Sequence, residues 1–553
     1  MRRRFSVSQV LDNIFGENEG EDTEQHSDLD EQVSEEEDNV EYHPEDTDTS
    51  DESDEEVTGE AAPAERFKSK NGKICWSSVP PDEHGRAAAA NVLKMTPGIT
   101  RFAVMTVSDI KTCFELFMPV SLKRVIIAMT NLEGKKVHGS MWKDIDEEYL
   151  DAYIGVLLLA GVYRSCNEAT DSLWDASTGR NIFRATMSLQ TFQMISRVLR
   201  FDNRDTRARS DKLAPTRDVW ERWVQLLPLM FNPGPEVTVD ERLVPFRGKC
   251  PFRQYIPSKP GKYGIKIWAA CDAKTSYAWN LQIYTGKAAS GILEKNQGKR
   301  VVLDMTTGLQ GHNITCDNFF TSYDLGQELL RRKLTMVGTV KKNKPELPAE
   351  ILQVKDRAAL STKFAFTDTT TVVSYCPKKK RNVKLMSTLH KDAAVSSRSD
   401  IKPTIILDYN KNKGGVDNLD KLTATYTCQR MTRRRPMVVF YNILDVSACN
   451  AFVLWTHIHQ GWNSTKKNKR RMFLEELGNS IVKLHIEGRE RVPRDPDAAT
   501  LTETPTGEVV LQSVVVVVVG VLVELGLLVV VVVVVGILVV VVGVSQSDLF
   551  TCE

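Results

Sequence analysis

The sequence of 553 residues predicts an α/β protein, because two hydrophobic periods alternate along it. Residues 95–236 repeat apolar side chains every three or four positions, which is the helical period. Residues 237–424 contain runs that alternate every second residue, as strands do. The chain becomes helical again after Pro436. This body is too long for one ordinary core, so we expect two to four domains.

An acidic segment precedes these elements. Residues 17–65 hold 23 Asp and Glu and no Lys or Arg, a composition that predicts disorder. Residues 66–500 carry a net charge of +26, although the whole chain is neutral. A basic body favours a polyanion such as nucleic acid, and an inert solvated surface is the alternative. The acidic segment either competes with DNA for this body or only keeps the protein soluble.

The helical region has apolar faces in residues 121–130, 147–161 and 192–199. We expect four tryptophans to anchor the core between these helices: Trp142, Trp174, Trp220 and Trp223. The run from Arg197 to Arg209 interleaves bases with apolar residues. It suits either a helix end that contacts phosphates or a solvated helix face.

The ten cysteines form no CxxC or CxxH pair, so the sequence indicates neither a zinc module nor a redox motif. Met1 is followed by arginines and a polar segment rather than by a secretory signal. We therefore expect an intracellular protein with reduced thiols.

Carboxylates follow the predicted strands. Asp272 falls at the end of a strand that begins at Tyr263, with residues 276–284 as its hairpin partner. Asp317 directly follows the short strand Asn313–Cys316, ahead of a helix that begins at Tyr323. Each acid either caps a local turn or helix or projects into a site, since ligands often bind where strands of α/β folds end.

A third acidic segment follows Gly414 and Gly415, which break the chain. Asp417 starts a helix, and Asp420 lies three residues on and therefore on the same face. Two acids one turn apart repel unless they are solvated, cap the helix or bind a cation. With Asp272 and Asp317 they supply the carboxylates of a divalent-metal site for phosphoryl transfer.

Four blocks of sequence closely resemble the piggyBac family of DDE/D transposases and their host-retained derivatives. In order they are VDERLVPFRGKCPFRQYIPSKPGKYGIK (239–266), ITCDNFFTS (314–322), VGTVKKNK (337–344) and YNKNKGGVDNLD (409–420). The resemblance covers roughly residues 95–490. It implies an RNase H-like catalytic core, with Asp272, Asp317 and Asp417 as the metal-binding triad and Asp420 as the associated fourth aspartate.

The resemblance also implies the reaction and the partners. Hydrolysis nicks the ends of the transposon, the freed 3′-hydroxyl forms a hairpin, and the excised element joins at TTAA. The expected cofactor is Mg²⁺ or Mn²⁺, as two ions, with no small-molecule cofactor. The expected partner is double-stranded DNA, as transposon ends and as target, bound by a nuclear homodimer. A host-retained DNA-binding protein without transposition activity is the alternative.

Basic residues near these blocks are candidates for phosphate contacts: Lys341, Lys342, Lys344, Arg430, Arg433, Arg434 and Arg435. A further basic run, Lys378–Arg381, is the turn of a hairpin predicted over residues 369–388. This turn suits phosphate contacts, nuclear import or a plain exposed tip.

The predicted organisation therefore has seven parts. They are a disordered acidic region (1–94), a helical region for DNA binding and dimerisation (95–236), the first part of the RNase H-like core (237–342), a small β-rich insertion (343–400), the last part of the core (401–424), a second helical region for DNA binding and dimerisation (425–494) and a valine-rich tail (495–553).

The tail departs from the family pattern. Residues 495–553 contain one cysteine, Cys552, and no histidine, where the family usually has a zinc-binding domain. From Val509 to Val544, 22 of 36 residues are valine. The apolar run from Leu525 to Val544 is long enough for a membrane span, but it lacks interfacial aromatics and flanking bases. We expect a tandem-repeat reading-frame accident with high β-propensity rather than an anchor.

Overall fold

The computed structural model describes residues 65–81, 92–208, 210–286, 294–489, 499–501, 527–534 and 537–544. The predicted disorder of residues 17–64 lies outside these ranges. The helices are α1 (Arg101–Thr106), α2 (Ile110–Glu115), α3 (Val120–His138), α4 (Glu147–Val162), α5 (Thr170–Leu173), α6 (Asn181–Thr186), α7 (Leu189–Val198), α8 (Arg217–Met230), α9 (Gln297–Met305), α10 (Tyr323–Arg331), α11 (Ala349–Leu352), α12 (Thr404–Asn412), α13 (Gly415–Thr425), α14 (Arg435–Ile458) and α15 (Lys469–Glu487).

The strands alternate with these helices, which confirms the α/β prediction. They are β1 (Arg66–Lys68), β2 (Cys75–Ser77), β3 (Gly98–Ile99), β4 (Phe231–Asn232), β5 (Glu236–Pro245), β6 (Arg253–Tyr255), β7 (Tyr263–Asp272), β8 (Ala278–Ile283), β9 (Asn313–Cys316), β10 (Thr335–Thr339), β11 (Ser361–Phe366), β12 (Thr371–Cys376), β13 (Val383–Ser387), β14 (Leu527–Val534) and β15 (Ile537–Val544).

One mixed sheet of eleven strands organises the protein, in the order β1-β2-β11-β12-β13-β10-β9-β5-β7-β6, with β8 also paired to β7. The central strand β9 runs parallel to both β10 and β5. Helix α10 makes the crossover between β9 and β10, as parallel neighbours require. The remaining pairs in this sheet are antiparallel.

The structure differs from the predicted organisation at the end of the acidic region. Residues 65–81, placed in the disordered region, form the hairpin β1–β2, in which Trp76 is fully buried. Burial of this indole anchors the hairpin, and β2 joins the main sheet through Phe366 of β11.

The predicted hairpin over residues 369–388 is present as β12–β13, and β13 also pairs with β10. Residues 343–400 therefore extend the same sheet through main-chain hydrogen bonds.

The long helix α14 crosses the core. Its Asn450 side chain is fully buried and exchanges two hydrogen bonds with the main chain of Ala278 on β8, at 2.9 and 3.0 Å. The indole of Trp223 on α8 donates to Ser447 of α14 at 2.9 Å. These bonds fix α14 against the sheet and α8. All four tryptophans expected to anchor the helices are buried, which confirms that prediction.

Among the described residues, one helix, α14, is long and apolar enough to cross a membrane, and most of this helix is buried inside the protein. Its apolar character is therefore that of a core helix.

In the valine-rich tail, β14 and β15 pair antiparallel, with Leu527 opposite Val544. Extended pairing agrees with the high β-propensity of valine.

Candidate active site

Strand register brings two aspartates side by side. Val239 of β5 pairs with Cys316 of β9, and the two strands are parallel. The residues that follow each of them, Asp240 and Asp317, are therefore neighbours at the same edge of the pairing. The main-chain N–H of Glu241 donates to the Asp240 carboxylate at 2.7 Å. Asp240 and Asp317 thus form the centre of the candidate site.

Helix α13 supplies two more acids to this place. The hydroxyl of Thr238 on β5 donates to the carbonyl of Asn412 at 2.6 Å and so ties the strand to the turn before α13. Gly415, in the first turn of α13, approaches Thr238 so closely that a Cβ on it would lie 2.7 Å from the Thr238 Oγ1. This approach brings Asp417 and Asp420 towards β5, as their spacing on one helix face predicted.

These four aspartates line one cleft of about 660 Å³, which we call the acidic cleft. Its walls come from β5, the loop before β7, α13 and α14. The charged residues that line it are Asp240, Glu241, Arg242, Lys259, Asp317, Asp417, Asp420, Lys421 and Asp445.

Cations of the chain partly neutralise the acids on α13. The Lys259 ammonium lies 3.0 Å from Asp417 Oδ1, and the Arg242 guanidinium donates to Asp420 Oδ1 at 2.6 Å. Arg242 is almost fully buried and its Nη1 has no hydrogen-bond partner. Burial disfavours the charge of Lys259, but the carboxylates, Asp417 foremost, outweigh it, so its pKa is raised.

Asp240 is the cleft aspartate that lies beside both Glu241 and Asp317. Burial, together with the negative charges of Glu241 and Asp317, raises the pKa of Asp240 well above its usual range. Lys266 lies 3.6 Å from Glu241, and burial lowers its pKa although Glu241 and Asp317 oppose that shift. A group of acids that repel one another in this way would gain from a bound cation.

The donor set fits a hard divalent metal. Carboxylate oxygens are the ligands that Mg²⁺ and Mn²⁺ prefer, and Mg²⁺ usually engages one or two of them together with phosphates. In the described part of the chain, no three His, Cys, Asp or Glu side chains are already arranged to hold an ion. The fit of the acidic cleft to a metal therefore rests on the chemistry and charge of its aspartates.

Asp272 is not brought into the acidic cleft. It pairs across the sheet with Val237, three residues before Asp240, so it lies about 10 Å along the strand and on the opposite face. Its Oδ1 accepts from the N–H of Gly234 at 2.7 Å, and its Oδ2 accepts from the N–H and hydroxyl of Thr275. The two bonds from Thr275 close the turn after β7, which is the capping alternative that the sequence left open, and the bond from Gly234 ties this turn to the segment before β5.

Asp317 does not cap the helix that follows it. Helix α10 is capped by Ser322, whose hydroxyl accepts from the N–H of Leu325 at 3.1 Å. Asp317 Oδ1 instead accepts from the N–H of Phe319 at 2.8 Å. Of the two alternatives left open for Asp317, capping of this helix does not apply, and Asp317 lines the acidic cleft.

The predicted phosphate-binding residues divide into exposed and buried ones. Lys341 and Lys342 are exposed and Lys344 is half-buried, all in the turn after β10. Arg430 is buried, and its guanidinium donates to the carbonyls of Ser165 and Glu168. A phosphate contact would require Arg430 to leave these carbonyls, so in this structure it ties the segment before α14 to the loop between α4 and α5.

The neighbouring arginines lie along a second groove, of about 570 Å³, which we call the basic groove. Arg433 is exposed, whereas Arg434 donates to main-chain carbonyls of residues 196, 197 and 199. Burial and the nearby charge of Arg200 lower the pKa of Arg434 to about 10. The residues that line the groove are Arg200, Phe201, Asp202, Arg204, Arg207, Pro215, Lys249, Arg433, Arg434, Arg435 and Pro436. The fold thus joins two basic runs that are far apart in sequence.

Sequence reasoning missed Asp240, Lys259 and Asp445. Asp240 and Glu241 are adjacent acids in the middle of β5, with valines at 237, 239 and 244, and this was the available signal for a site on this strand. Asp445 of α14 accepts from the N–H of Cys428 at 2.8 Å and the hydroxyl of Thr427 at 2.6 Å. Burial raises the pKa of Asp445 to about 6, although these bonds oppose the shift.

Comparisons with known proteins find a matching family and a similar solved structure. Residues 109–452 match the family described as transposase IS4. The fold is similar to a cryo-EM structure of a piggyBac transposase synaptic complex with hairpin DNA, with a TM-score of 0.70 and 32% sequence identity. That alignment covers 75% of this chain and 89% of the other.

Proposed function

Because this chain belongs to the piggyBac-type transposase IS4 family, we propose that it is a metal-dependent DNA transposase that cuts and transfers DNA strands by DDE/D chemistry. The proposed substrate is double-stranded DNA, as the ends of an element and a TTAA target. We further propose an RNase H-like core and a homodimer that acts in the nucleus. The DNA complex of the similar transposase supports the choice of substrate.

One observation carries this proposal: four aspartates from two parallel strands and one helix line a single cleft. Asp240 and Asp317, which are far apart in sequence, meet because β5 and β9 pair. Helix α13 adds Asp417 and Asp420 from the side of the cleft. A purely structural set of acids would be spread over the surface or fully paired. Here burial, together with the negative charges of Glu241 and Asp317, raises the pKa of Asp240.

We assign the metal-binding triad to Asp240, Asp317 and Asp417, with Asp420 as the fourth aspartate. Asp240 replaces Asp272 of the sequence-based triad, because Asp272 does not line the acidic cleft and both of its carboxylate oxygens are bonded, Oδ1 to the Gly234 N–H and Oδ2 to Thr275. Bound Mg²⁺ or Mn²⁺ would polarise the phosphate and lower the pKa of the attacking water or 3′-hydroxyl. The buried Arg242 orients Asp420, and its unpartnered Nη1 is a donor at the cleft wall.

The basic groove and the exposed lysines after β10 suit the DNA backbone. The side chains of Arg433 and Lys249 make no hydrogen bond or ion pair with other described residues, so they can contact phosphates without losing a partner. Lys259 and Lys266 hold positive charge beside the acids. A site of this kind can hold a polyanion while its aspartates hold the metal.

The test compares purified protein with its Asp317→Ala variant on labelled duplexes that carry candidate terminal repeats, with Mg²⁺. Asp324→Ala is the matched control, because Asp324 is an exposed acid that pairs with Lys299 outside the acidic cleft. We expect metal-dependent nicks with the wild type and the control, and none with Asp317→Ala. Equal cleavage by wild type and Asp317→Ala would reject the enzyme function.

The second candidate function is a DNA-binding protein without catalysis. The ion pairs of Asp417 with Lys259 and of Asp420 with Arg242 favour it, since both acids on α13 already have a cation partner. This function predicts binding that weakens steeply with salt, and no metal-dependent nick. The same duplexes therefore distinguish the two candidates.

A further inference from the structure

Phe319 is an exposed aromatic residue two positions after Asp317. Its side chain is 36% exposed, whereas its neighbour Phe320 is 1% exposed. Exposure of a phenylalanine costs the free energy that its burial would gain. Because Phe320 already supplies the core contact of this turn, packing alone does not account for an exposed ring at residue 319.

Rigid neighbours support the Phe319 ring. It stacks on the buried indole of Trp268, with ring centroids 5.5 Å apart and planes 17° apart. Phe320 packs edge-on against it at 5.0 Å. The Lys266 ammonium lies 4.0 Å from the centre of the Trp268 ring and 5.3 Å from that of Phe319. The ring is therefore held in place, and a positive charge lies within cation–π distance of it.

The main chain fixes this ring relative to the acidic cleft. The Phe319 N–H donates to Asp317 Oδ1 at 2.8 Å. Helix α9 packs against the same turn through Gly298, where a Cβ would lie 2.7 Å from the Phe319 carbonyl oxygen. Lys266 also reaches Glu241, which lines the cleft. Phe319 thus lies at a fixed distance from Asp317.

We propose that Phe319 is a stacking platform for a nucleobase next to the DNA bond that is cut at Asp317. This inference rests on the proposed function and assigns Phe319 as a positioning residue. A flat ring backed by an indole and flanked by an ammonium offers a stacking surface for any base, and the ammonium attracts the nearby phosphate. Stacking would offset the cost of taking that base out of the duplex, and so hold the strand over the cleft.

The test measures binding and single-turnover cleavage with two versions of one duplex. In the first, the bases that flank the cut are unpaired; in the second, those positions are abasic. Phe319→Leu keeps an apolar side chain without a ring, and Phe319→Trp keeps a ring. Phe102→Ala is the matched control, since Phe102 is 58% exposed on α1, away from the acidic cleft.

With the unpaired bases, we expect Phe319→Leu to bind about 5- to 100-fold more weakly than wild type, and Phe319→Trp to bind within about threefold of it. With the abasic duplex, wild type and Phe319→Leu should bind equally. Cleavage rates should follow the same pattern, and Phe102→Ala should match wild type throughout.

Equal binding of the unpaired duplex by wild type and Phe319→Leu would overturn the inference, as would a loss that persists on the abasic duplex. The binding measurement needs no metal and no cleavage. If wild type fails to cut, the proposed function fails, while the binding comparison still decides the role of Phe319. Melting temperatures of all variants within about 3 °C of wild type confirm that the fold is retained.

Discussion

Gly415 controls the distance between α13 and β5, and its replacement by alanine tests that geometry. A Cβ at residue 415 would lie 2.7 Å from the Thr238 Oγ1 and 3.3 Å from the Ala273 Cα. An ordinary contact is roughly 3.5 Å, so the overlap with Thr238 is about 0.8 Å. Because the Thr238 hydroxyl is bonded to Asn412, it cannot turn away without losing that bond. The helix must therefore move.

We expect Gly415→Ala to cost about 1–3 kcal/mol in the free energy of unfolding, as overpacked sites do. A shift of nearly 1 Å in Asp417 should lower metal-dependent cleavage by about 100-fold. Urea denaturation and single-turnover cleavage with Mg²⁺ measure the two effects. Gly461→Ala is the control, because no atom lies within 4 Å of a Cβ placed there.

A second variant separates the overlap from other effects of alanine. Thr238→Ala in the Gly415→Ala background removes the closer of the contacts, so cleavage should recover in part. Wild-type cleavage and stability in Gly415→Ala would refute the close approach of α13 to β5 as the feature that places Asp417.

Three further predictions concern charge. Burial raises the pKa of Asp445 to about 6, above a usual value of about 3.9, so the contribution of this carboxyl group to stability is greatest below pH 4 and falls as the pH rises to about 6. Two pKa units correspond to about 3 kcal/mol, which partial exposure reduces to about 1–2 kcal/mol. Asp445→Asn should therefore flatten the dependence of urea-denaturation stability on pH between pH 4 and 7, whereas an unchanged pH profile would contradict the burial of this charge. Arg433→Gln and Lys249→Gln should each reduce the slope of log affinity against log salt by about 1 without changing the melting temperature, and unaltered slopes would remove the basic groove from the DNA path. Arg434→Gln should instead destabilise the fold by about 2 kcal/mol, because the main-chain carbonyls of residues 196, 197 and 199 lose their donor. Thermal denaturation checks this, and undiminished stability would show that these bonds contribute nothing.

Local patterns in the sequence predicted much of the fold. The alternation from Tyr263 to Asp272 matches β7, and the strand predicted at Asn313–Cys316 matches β9. The glycine pair before Asp417 predicted the start of α13. Each of these signals lies within about ten residues, where period, turn residues and strand ends determine the backbone.

Long-range pairing could not be predicted in the same way. Asp240 lies beside Asp317 only because of the register between β5 and β9. The register between β5 and β7 places Asp272 on the opposite face of the sheet from both. A strand ending in an acid is the same local pattern in Asp272 and Asp317, so only the sheet distinguishes them. Burial of Arg430 likewise depends on the packing of distant segments rather than on its basic neighbours.

The hairpin β1–β2 gives a similar lesson. Its sequence is short, polar and next to an acidic segment, so composition alone predicts disorder. Trp76 makes the difference, because it is fully buried and its indole donates to the carbonyl of Glu346 at 3.0 Å. A single anchor that reaches a distant turn stabilises strands that could not form alone.

The most direct test of the active-site assignment compares Asp240→Asn with Asp272→Asn in Mg²⁺-dependent cleavage. Asp240→Asn should lose roughly a thousandfold or more in rate while remaining at least as stable as wild type, since it removes a buried charge held in a repulsive field. Asp272→Asn should be less stable, because its carboxylate accepts three hydrogen bonds, yet should cleave at a rate near wild type at temperatures where it is folded. Wild-type cleavage by Asp240→Asn, together with loss of cleavage in folded Asp272→Asn, would contradict the metal-binding triad proposed from this structure.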